Sequence, residues 1–461
     1  MQFSVTDNKK PITLEATRLS VFRQSKIVEA IDAKQRHYYI FFYKDNFLTW
    51  VRPKHIVLNS YIHKAFAHGV LFDGDHPITD QVIQLHHSFS HSRFNQLYNK
   101  LTGKYTPQEI SLIFTFFDSF ISHKQISKLL KKTYYDFRRN GQMLSAYKIL
   151  KIAVLFDEND TFSNDMISSM QFKSYEEIYK DLYALVDRDP IQLEILCFTD
   201  RSTPKKAALL LGLLRNEKRY LDELAVRLSM LNNQFSTDYW SEIKALIRSH
   251  FPQEEQQKLL YIIAEQNHHP DLQSDLFGSF LDSNDADSIV RFLVDRSVQP
   301  APNQMPTVAT NFLSAKPSTL LTLYPKLNVR LVELFKDEHV ALDKIVIRTV
   351  SILLTEHTLA EVSDWLAAFR NASISLPIAQ RLKKMQLLED DPDRQLPLGE
   401  MYLELDQLDK SIDCFKWEME LKPTDPKPVQ LLMNAYRKLG DKTEASTYQQ
   451  LLVQMQKHSS A

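Results

Sequence analysis

The chain has 461 residues, of which 44% are hydrophobic, 11% aromatic and 25% charged, a composition typical of a folded protein rather than a disordered one. The 56 lysines and arginines balance the 57 aspartates and glutamates, so the chain as a whole lacks the basic excess of a nucleic-acid-binding protein. Only 8 residues are glycine, and the glycine-rich motifs of Rossmann, P-loop and α/β-hydrolase enzymes are absent, which disfavours those enzymes and favours helices.

Two cysteines, Cys197 and Cys414, lie far apart in segments with helical character. A disulfide framework is therefore excluded, and both thiols are expected to be core residues in a reducing compartment. The N-terminal residues lack the apolar segment of a signal peptide, and no stretch has the ~18–20 continuous apolar residues of a membrane span. We therefore expect a cytoplasmic protein that does not cross a membrane.

The first 60 residues are rich in β-branched and aromatic side chains, which predicts a small β module over 1–60. Lys44-Asp45-Asn46 separates two apolar runs and predicts a tight hairpin. The segment from Trp50 to Val57 resembles the closing strand, turn and last strand of SH3-like barrels. The predicted strands are at 3–6, 12–17, 26–31, 37–43 and 47–51.

From residue 61 onward, apolar residues recur at helical spacing, which predicts a helical region over 61–160 and a helical array over 161–380. Three prolines in the segment from Val298 through Pro306 predict a bend near 298–306. Helical hairpins that follow one another over such a length are typical of an α-solenoid. We therefore expect a mainly α fold, preceded by the small β module.

The last part of the chain repeats itself at an interval of 34 residues. The repeated pairs are Asp391 and Asp425, Pro392 and Pro426, Leu398 and Leu432, Tyr402 and Tyr436, Leu405 and Leu439, and Ser411 and Ala445. Each unit predicts a helix, a short turn and a second helix. Their length and residues resemble the tetratricopeptide repeat (TPR), so 381–461 is expected to hold two such units.

Individual positions strengthen or weaken this resemblance. Gly399 and Ser411 occupy positions where small residues let the paired helices approach, and Phe415 is the aromatic residue of the second helix. Two departures stand out, because Asp406 replaces the turn glycine of the first unit and Gln449 replaces the second-helix aromatic of the second unit. The resemblance therefore covers about 70 residues well.

A third, isolated unit is expected at 127–160. The residues at the family's offsets are Phe137, Gly141, Ala146 and Ala153. Its first helix would carry a basic stripe, in which Lys131, Arg138 and Arg139 are candidate partner-binding residues.

In the tetratricopeptide family, the first helix of each unit lines an inner groove, so the resemblance implies binding of a peptide or helix there. The residues expected to face the groove are Glu400, Glu404, Asn434, Arg437 and Lys438. Gln430 stands where the family's carboxylate clamp has a lysine, which argues against binding of a chaperone tail. The sign of the charge changes between the units, which predicts a partner with basic residues at one end and acidic residues at the other.

Histidines concentrate early in the chain, nine of the fifteen lying between His37 and His123. His87 and His91 are four residues apart, a spacing that would place both imidazoles on one face of a helix. Ser88 stands where a zinc-protease motif requires glutamate, so we expect neither a metal cofactor nor enzymatic activity. A metal-dependent activity in the 63–91 region is the alternative for an enzyme.

Together, these patterns predict a cytoplasmic adaptor or scaffold that binds another protein or peptide without a cofactor. Two alternatives remain open. One is a regulatory protein of bacterial type whose repeats sense a peptide. The other is a nucleic-acid-associated factor that uses the basic stretch 124–151, although nucleic acid is not the expected partner.

Overall fold

The computed structural model of the protein describes residues 1–7, 10–53, 55–283, 285–296 and 298–458. The chain divides into two compact units, Met1–Asn267 and His268–Ala461. Within the described ranges the fold is mainly helical, with one β-sheet near the N-terminus, as the sequence predicts. No helix in these ranges is both long and apolar enough to cross a bilayer.

The first unit begins with a sheet that, in the described residues, contains seven strands. Their bounds are β1 Gln2–Asp7, β2 Lys10–Phe22, β3 Ser25–Asp32, β4 His37–Tyr43, β5 Asn46–Val51, β6 Val70–Asp73 and β7 Phe89–Ser90. The first five form an antiparallel meander, and β7 runs parallel to β1. The first half of β2 pairs with β1 and its second half with β6.

Side-chain hydrogen bonds nearly close this sheet into a barrel, because they tie β5 to the segment around β7. The backbone N–H of Ser92 donates to Thr49 Oγ1 at 3.0 Å, and the Thr49 hydroxyl donates to the Ser92 carbonyl at 3.1 Å. The indole Nε1 of Trp50 donates to the Phe89 carbonyl at 3.2 Å. The outer edge of β5 is therefore covered without a backbone ladder.

All five predicted strands are present, and β4 and β5 form the predicted hairpin, with Tyr43 opposite Asn46. The predicted SH3-like closing strand is not found. The described residues of this segment, 52–53 and 55–60, contain no strand, and the segment leads directly into a helix. The sheet instead gains β6 and β7 from the region where the sequence predicts helices, because strands of four and two residues are too short to show a period.

Helices follow the meander in the first unit. Their bounds are α1 Tyr61–His68, α2 Pro77–Gln84, α3 Phe94–Leu101, α4 Pro107–Thr115, α5 His123–Arg139, α6 Met143–Phe156, α7 Thr161–Ile167, α8 Lys173–Lys180, α9 Leu182–Arg188, α10 Pro190–Thr199, α11 Pro204–Asn216, α12 Tyr220–Asn233, α13 Thr237–His250 and α14 Gln253–Gln266. The predicted third unit corresponds to α5 and α6, which pack together around buried Ala146 and turn at Gly141 with a φ of +72°.

A network of buried charges joins the sheet to two of these helices. Lys26 in β3 pairs with Asp222 in α12. The Arg219 guanidinium contacts Asp222 at 3.3 Å and Glu194 in α10 at 2.8 Å. Burial favours a raised pKa for Asp222, but Arg219 and Lys26 outweigh burial and hold that pKa below its usual value. Because an unpaired buried charge is costly, the network fixes the sheet against α10 and α12.

The second unit consists of helices that pack largely on their neighbours in sequence, the arrangement of an α-solenoid. Their bounds are α15 Pro270–Ser283, α16 Ala286–Asp295, α17 Met305–Ser314, α18 Pro317–Phe335, α19 His339–Leu353, α20 Leu359–Trp365, α21 Ala367–Asn371, α22 Pro377–Glu389, α23 Gln395–Glu404, α24 Leu408–Leu421, α25 Pro426–Leu439 and α26 Lys442–His458. At the predicted bend, residues 298–301 are irregular and a 3-10 turn, Pro302–Gln304, leads into α17.

Candidate protein-binding surface

The last four helices form the two hairpins predicted from the 34-residue repeat. The repeated aromatic residues Tyr402 and Tyr436 are both buried. Gly399 in α23 lies so close to α24 that a Cβ atom there would be 2.6 Å from the Phe415 ring. Such an approach is possible only for glycine, because real Cβ contacts do not reach that distance. The small residue in the first helix therefore does what the resemblance implies.

The second hairpin contains an aromatic pair, one ring of which lies one residue away from the position that the sequence pattern predicts. Tyr436 in α25 stacks on Tyr448 in α26, with ring centroids 5.4 Å apart and an interplanar angle of 10°. Tyr448 lies one position before Gln449, where the family pattern places its aromatic residue. The expected ring is thus present, displaced by one residue along α26.

Both hairpins turn through a residue with left-handed backbone. Gly440 follows α25 with a φ of +85°, and Asp406 follows α23 with a φ of +59°. Glycine adopts this conformation without a steric penalty, whereas aspartate does so less readily. The departure from the family pattern at Asp406 therefore leaves the turn intact but strained.

The predicted acidic residues lie on α23, and each is already paired within the protein. Glu400 contacts Lys427 in α25 at 2.7 Å, and Glu404 contacts Arg381 in α22 at 2.8 Å. All four side chains are at least 40% exposed, so these are surface ion pairs worth roughly 0–1 kcal/mol each. A charged partner can replace such contacts at little cost.

The predicted polar and basic residues follow one stripe of α25. Arg437 and Lys438 are exposed in the last turn, and Asn434 is half-buried one turn earlier. Arg437 donates to Gln449 Oε1 at 2.9 Å, a neutral partner that leaves its charge uncompensated by this bond. We call this set of predicted residues, Glu400 and Glu404 on α23 with Asn434, Arg437 and Lys438 on α25, the α23/α25 surface.

The basic stripe predicted on α5 is partly neutralised. Lys131 contacts Asp160 at 3.1 Å and lies over the Phe162 ring at 4.7 Å. Arg139 pairs with Asp136 on the same helix at 2.8 Å, and Arg138 is exposed. These pairs reduce the positive charge available to nucleic acid along α5.

One exposed apolar pair on the terminal hairpins was not predicted as a site. Trp417 and Leu421 lie four residues apart on α24, and each is nearly half exposed. Exposed tryptophan is enriched among residues that dominate protein–protein binding. The sequence signal was the position of Trp417, which follows the core aromatic Phe415 by two residues and so lies on the opposite side of the helix.

The predicted histidine pair does not share a helix face, so this prediction was wrong. Helix α2 ends at Gln84, and His87 and His91 lie on either side of β7. His86 Nε2 lies 2.8 Å from the Asp45 carbonyl oxygen, so this ring nitrogen is hydrogen-bonded within the sheet module. Among the residues that the structure describes, no three histidine, cysteine or acidic side chains converge to hold a metal ion.

Both cysteines are free and buried, as predicted. Burial raises the pKa of each thiol to about 11. At neutral pH neither forms the thiolate that a cysteine nucleophile requires.

Comparisons with known proteins provide no closer identification. No protein family and no curated protein matches the sequence. Among the solved structures that match, one titled "Crystal structure of APC/C hetero-tetramer Cut9-Hcn1" aligns over 78% of this chain and 82% of that chain, with 12% sequence identity and a TM-score of 0.17. An alignment with so low a score carries no argument about fold or function, so the assignment to helical hairpins depends on the geometry above.

Proposed function

We propose that the protein is a cytoplasmic adaptor or scaffold that binds another polypeptide through the α23/α25 surface. The observation that carries this proposal is the arrangement of exposed charge on two neighbouring first helices. Arg437 and Lys438 lie at the end of α25, and the weakly paired carboxylates of Glu400 and Glu404 lie on α23. Helical hairpins commonly bind an extended peptide or a helix on such a face.

The charges suggest the chemistry of the partner. An acidic segment would pair with Arg437 and Lys438, and a basic segment would take Glu400 and Glu404 from their present lysine and arginine partners. Complementary charge of this kind mainly determines selectivity and the rate of association. The proposal includes no catalytic role and no cofactor, and the two buried free thiols support a reducing compartment.

Charge reversal tests the surface directly. In an affinity pull-down from native cytoplasm with mass spectrometry, the double variant Arg437→Glu and Lys438→Glu should lose partners that the wild-type protein retains. Circular dichroism should be unchanged, because exposed positions usually alter stability by only about 0.5 kcal/mol.

A matched control reverses two exposed charges elsewhere, with Arg138→Glu and Arg139→Glu on α5. Retention of the same partners by the α25 variant would refute the α23/α25 surface. Loss of partners only in the α5 variant would favour the nucleic-acid or regulatory alternatives. Loss only after Leu421→Ser would transfer the binding role to the apolar face of α24.

A further inference from the structure

A cavity of about 210 Å³ lies in the first unit, lined by the β2–β3 turn, α1 and residues in and after α4 and α6. Much of its wall is apolar, and that part includes Phe22, Leu112, Ile152 and Leu155. A cavity of this size suits a small metabolite.

Arg23 contributes a cation to the lining of this cavity. Its guanidinium lies over the Phe22 ring at 4.7 Å, and its Nε atom is shut off from solvent without a hydrogen-bond acceptor. In the described part of the chain, no carboxylate forms an ion pair with it. Burial lowers the pKa of Arg23, which reflects the unfavourable surroundings of the charge. A guanidinium placed in this way favours an added carboxylate, which it can bind through two parallel hydrogen bonds.

Gln24 contributes an unused acceptor beside that cation. The side chain is 1% exposed, and its Nε2 donates to the Ile191 carbonyl at 2.9 Å. Its Oε1 is buried without a donor. If the oxygen and nitrogen of the Gln24 side-chain amide were exchanged, Oε1 would face the Ile191 carbonyl oxygen and repel it. The present orientation is therefore the favourable one. A buried acceptor without a donor is costly, so Gln24 makes the surroundings of Arg23 more polar, but its Oε1 atom has no surface open to a ligand.

Asp118 contributes a negative charge on the same cavity wall. Its two carboxylate oxygens accept the Tyr61 backbone N–H at 3.0 and 2.9 Å, and both retain capacity for another donor. Burial raises the pKa of Asp118 to about 6, so the group is still largely ionised at neutral pH. Lys64 in the same lining already acts against that rise in pKa, and a ligand ammonium group would stabilise the charge further.

We propose that this cavity binds a free α-amino acid with an apolar side chain. The ligand carboxylate pairs with Arg23, its ammonium group donates to Asp118, and its side chain contacts Phe22, Leu112 and Ile152. The lining combines two cations, Arg23 and Lys64, with two carboxylates, Asp118 and Glu158, and an apolar wall. A zwitterion with an apolar body matches such a cavity. This inference concerns the first unit and does not depend on the α23/α25 surface.

Calorimetry on the full-length protein tests the ligand class with leucine, isoleucine and phenylalanine. Three truncated probes separate the groups: 4-methylpentanoate lacks the amine of leucine, 3-methylbutylamine lacks its carboxylate, and glycine lacks its side chain. One of the three amino acids should bind with one-to-one stoichiometry, and each truncated probe should bind at least about tenfold more weakly. Absence of binding at millimolar concentration would overturn the proposal, as would 4-methylpentanoate binding as tightly as leucine.

The variant Arg23→Gln distinguishes a binding role from a structural one. Removing an unpaired buried charge should leave the melting temperature of the ligand-free protein equal or higher, while amino-acid binding weakens about tenfold or more. Arg52→Gln, at an exposed arginine outside the cavity, is the matched control and should alter neither property. A lower melting temperature with unchanged binding would assign Arg23 a structural role and refute the site.

Asp118→Asn provides a second, independent variant, because asparagine keeps an acceptor for the Tyr61 N–H. It should reduce the advantage of leucine over 4-methylpentanoate. An unchanged ratio between these two ligands would contradict the assignment of the ammonium group.

Discussion

Lys26 and Asp222 form an ion pair in which both side chains are at most 2% exposed, although 196 residues separate them in the sequence. The pair brings the sheet and α12 into one unit, and Arg219 binds the same carboxylate from the helical side. A buried pair of this kind adds little net stability compared with apolar side chains, but losing one member leaves a charge uncompensated. Its effect is therefore to specify one arrangement of sheet and helices.

We expect Asp222→Asn to destabilise the first unit by about 3–5 kcal/mol, because Lys26 and Arg219 would lose a shared carboxylate in a buried site. Adding Lys26→Met to that variant should cost less than the sum of the two single changes. Glu177→Gln at the exposed Lys180–Glu177 pair is the control and should change stability by at most about 1 kcal/mol. Denaturant unfolding of all four variants measures these differences, and additive single effects would argue against the coupling.

Gly399→Ala should destabilise the second unit by about 1–3 kcal/mol, because the new methyl group would overlap the Phe415 ring. Gly278→Ala is the matched control, since Gly278 lies inside α15 and a Cβ there has no neighbour within 4 Å. That change should stabilise the helix by roughly 0.5–1 kcal/mol. Thermal unfolding of both variants provides the measurement, and a stabilising Gly399→Ala would contradict the close helix approach.

Asp406→Gly should stabilise the first terminal hairpin by about 0.5–1 kcal/mol, since glycine adopts a φ of +59° without the penalty of a side chain. Gly440→Ala should have the opposite sign and destabilise the second hairpin by about 1 kcal/mol. A Cβ at Gly440 would meet no atom within 4 Å, so the penalty there comes from the backbone conformation rather than from a clash. Chemical denaturation of the two variants should therefore give shifts in opposite directions.

His76 should make the first unit less stable in mild acid. Burial, followed by the nearby Lys258, lowers its pKa from 6.5 to about 4, and its neutral Nδ1 accepts the Ile78 N–H at the start of α2. Between pH ~6.5 and pH ~4 the unfolded chain binds more protons than the folded chain. The stability that depends on neutral His76 is therefore fully present above pH ~6.5 and is lost as the pH falls toward 4. The contribution lost by pH ~4.5 is roughly 2–3 kcal/mol.

The matched variant is His76→Asn, because asparagine caps a helix but does not titrate. Urea unfolding at a series of pH values should show a smaller loss of stability on acidification in the variant than in the wild-type protein, whatever their stability at neutral pH. Equal slopes for the two proteins would show that His76 does not titrate in this way.

The elements with a regular period were predictable from the sequence. Runs rich in β-branched and aromatic residues predicted the five strands of the meander, and the repeat at Tyr402 and Tyr436 predicted the two terminal hairpins. Both signals are local, because such side chains favour extended backbone and a repeated hairpin places its buried residues at a fixed interval. The left-handed turn at Gly440 was predictable for the same local reason.

Features that depend on distant partners were not predictable. The Lys26–Asp222 pair requires knowledge of how the sheet and α12 meet, and no single-sequence pattern carries it. On the candidate surface, the position of Glu400 on α23 followed from the repeat, but its pairing with Lys427 depends on how α23 and α25 pack. The histidine pair was misplaced because a spacing of four was interpreted as helical in a segment that contains β7.

The way in which β5 is covered limits how the N-terminal module can interact with other chains. An open edge strand offers unpaired backbone groups to which a foreign strand can add, and it is also a starting point for aggregation. Thr49 and Trp50 hold the segment at 89–92 against β5, so a foreign strand would first have to displace three hydrogen bonds and a packed indole. Strand addition at this edge would therefore compete with contacts that the folded module already makes.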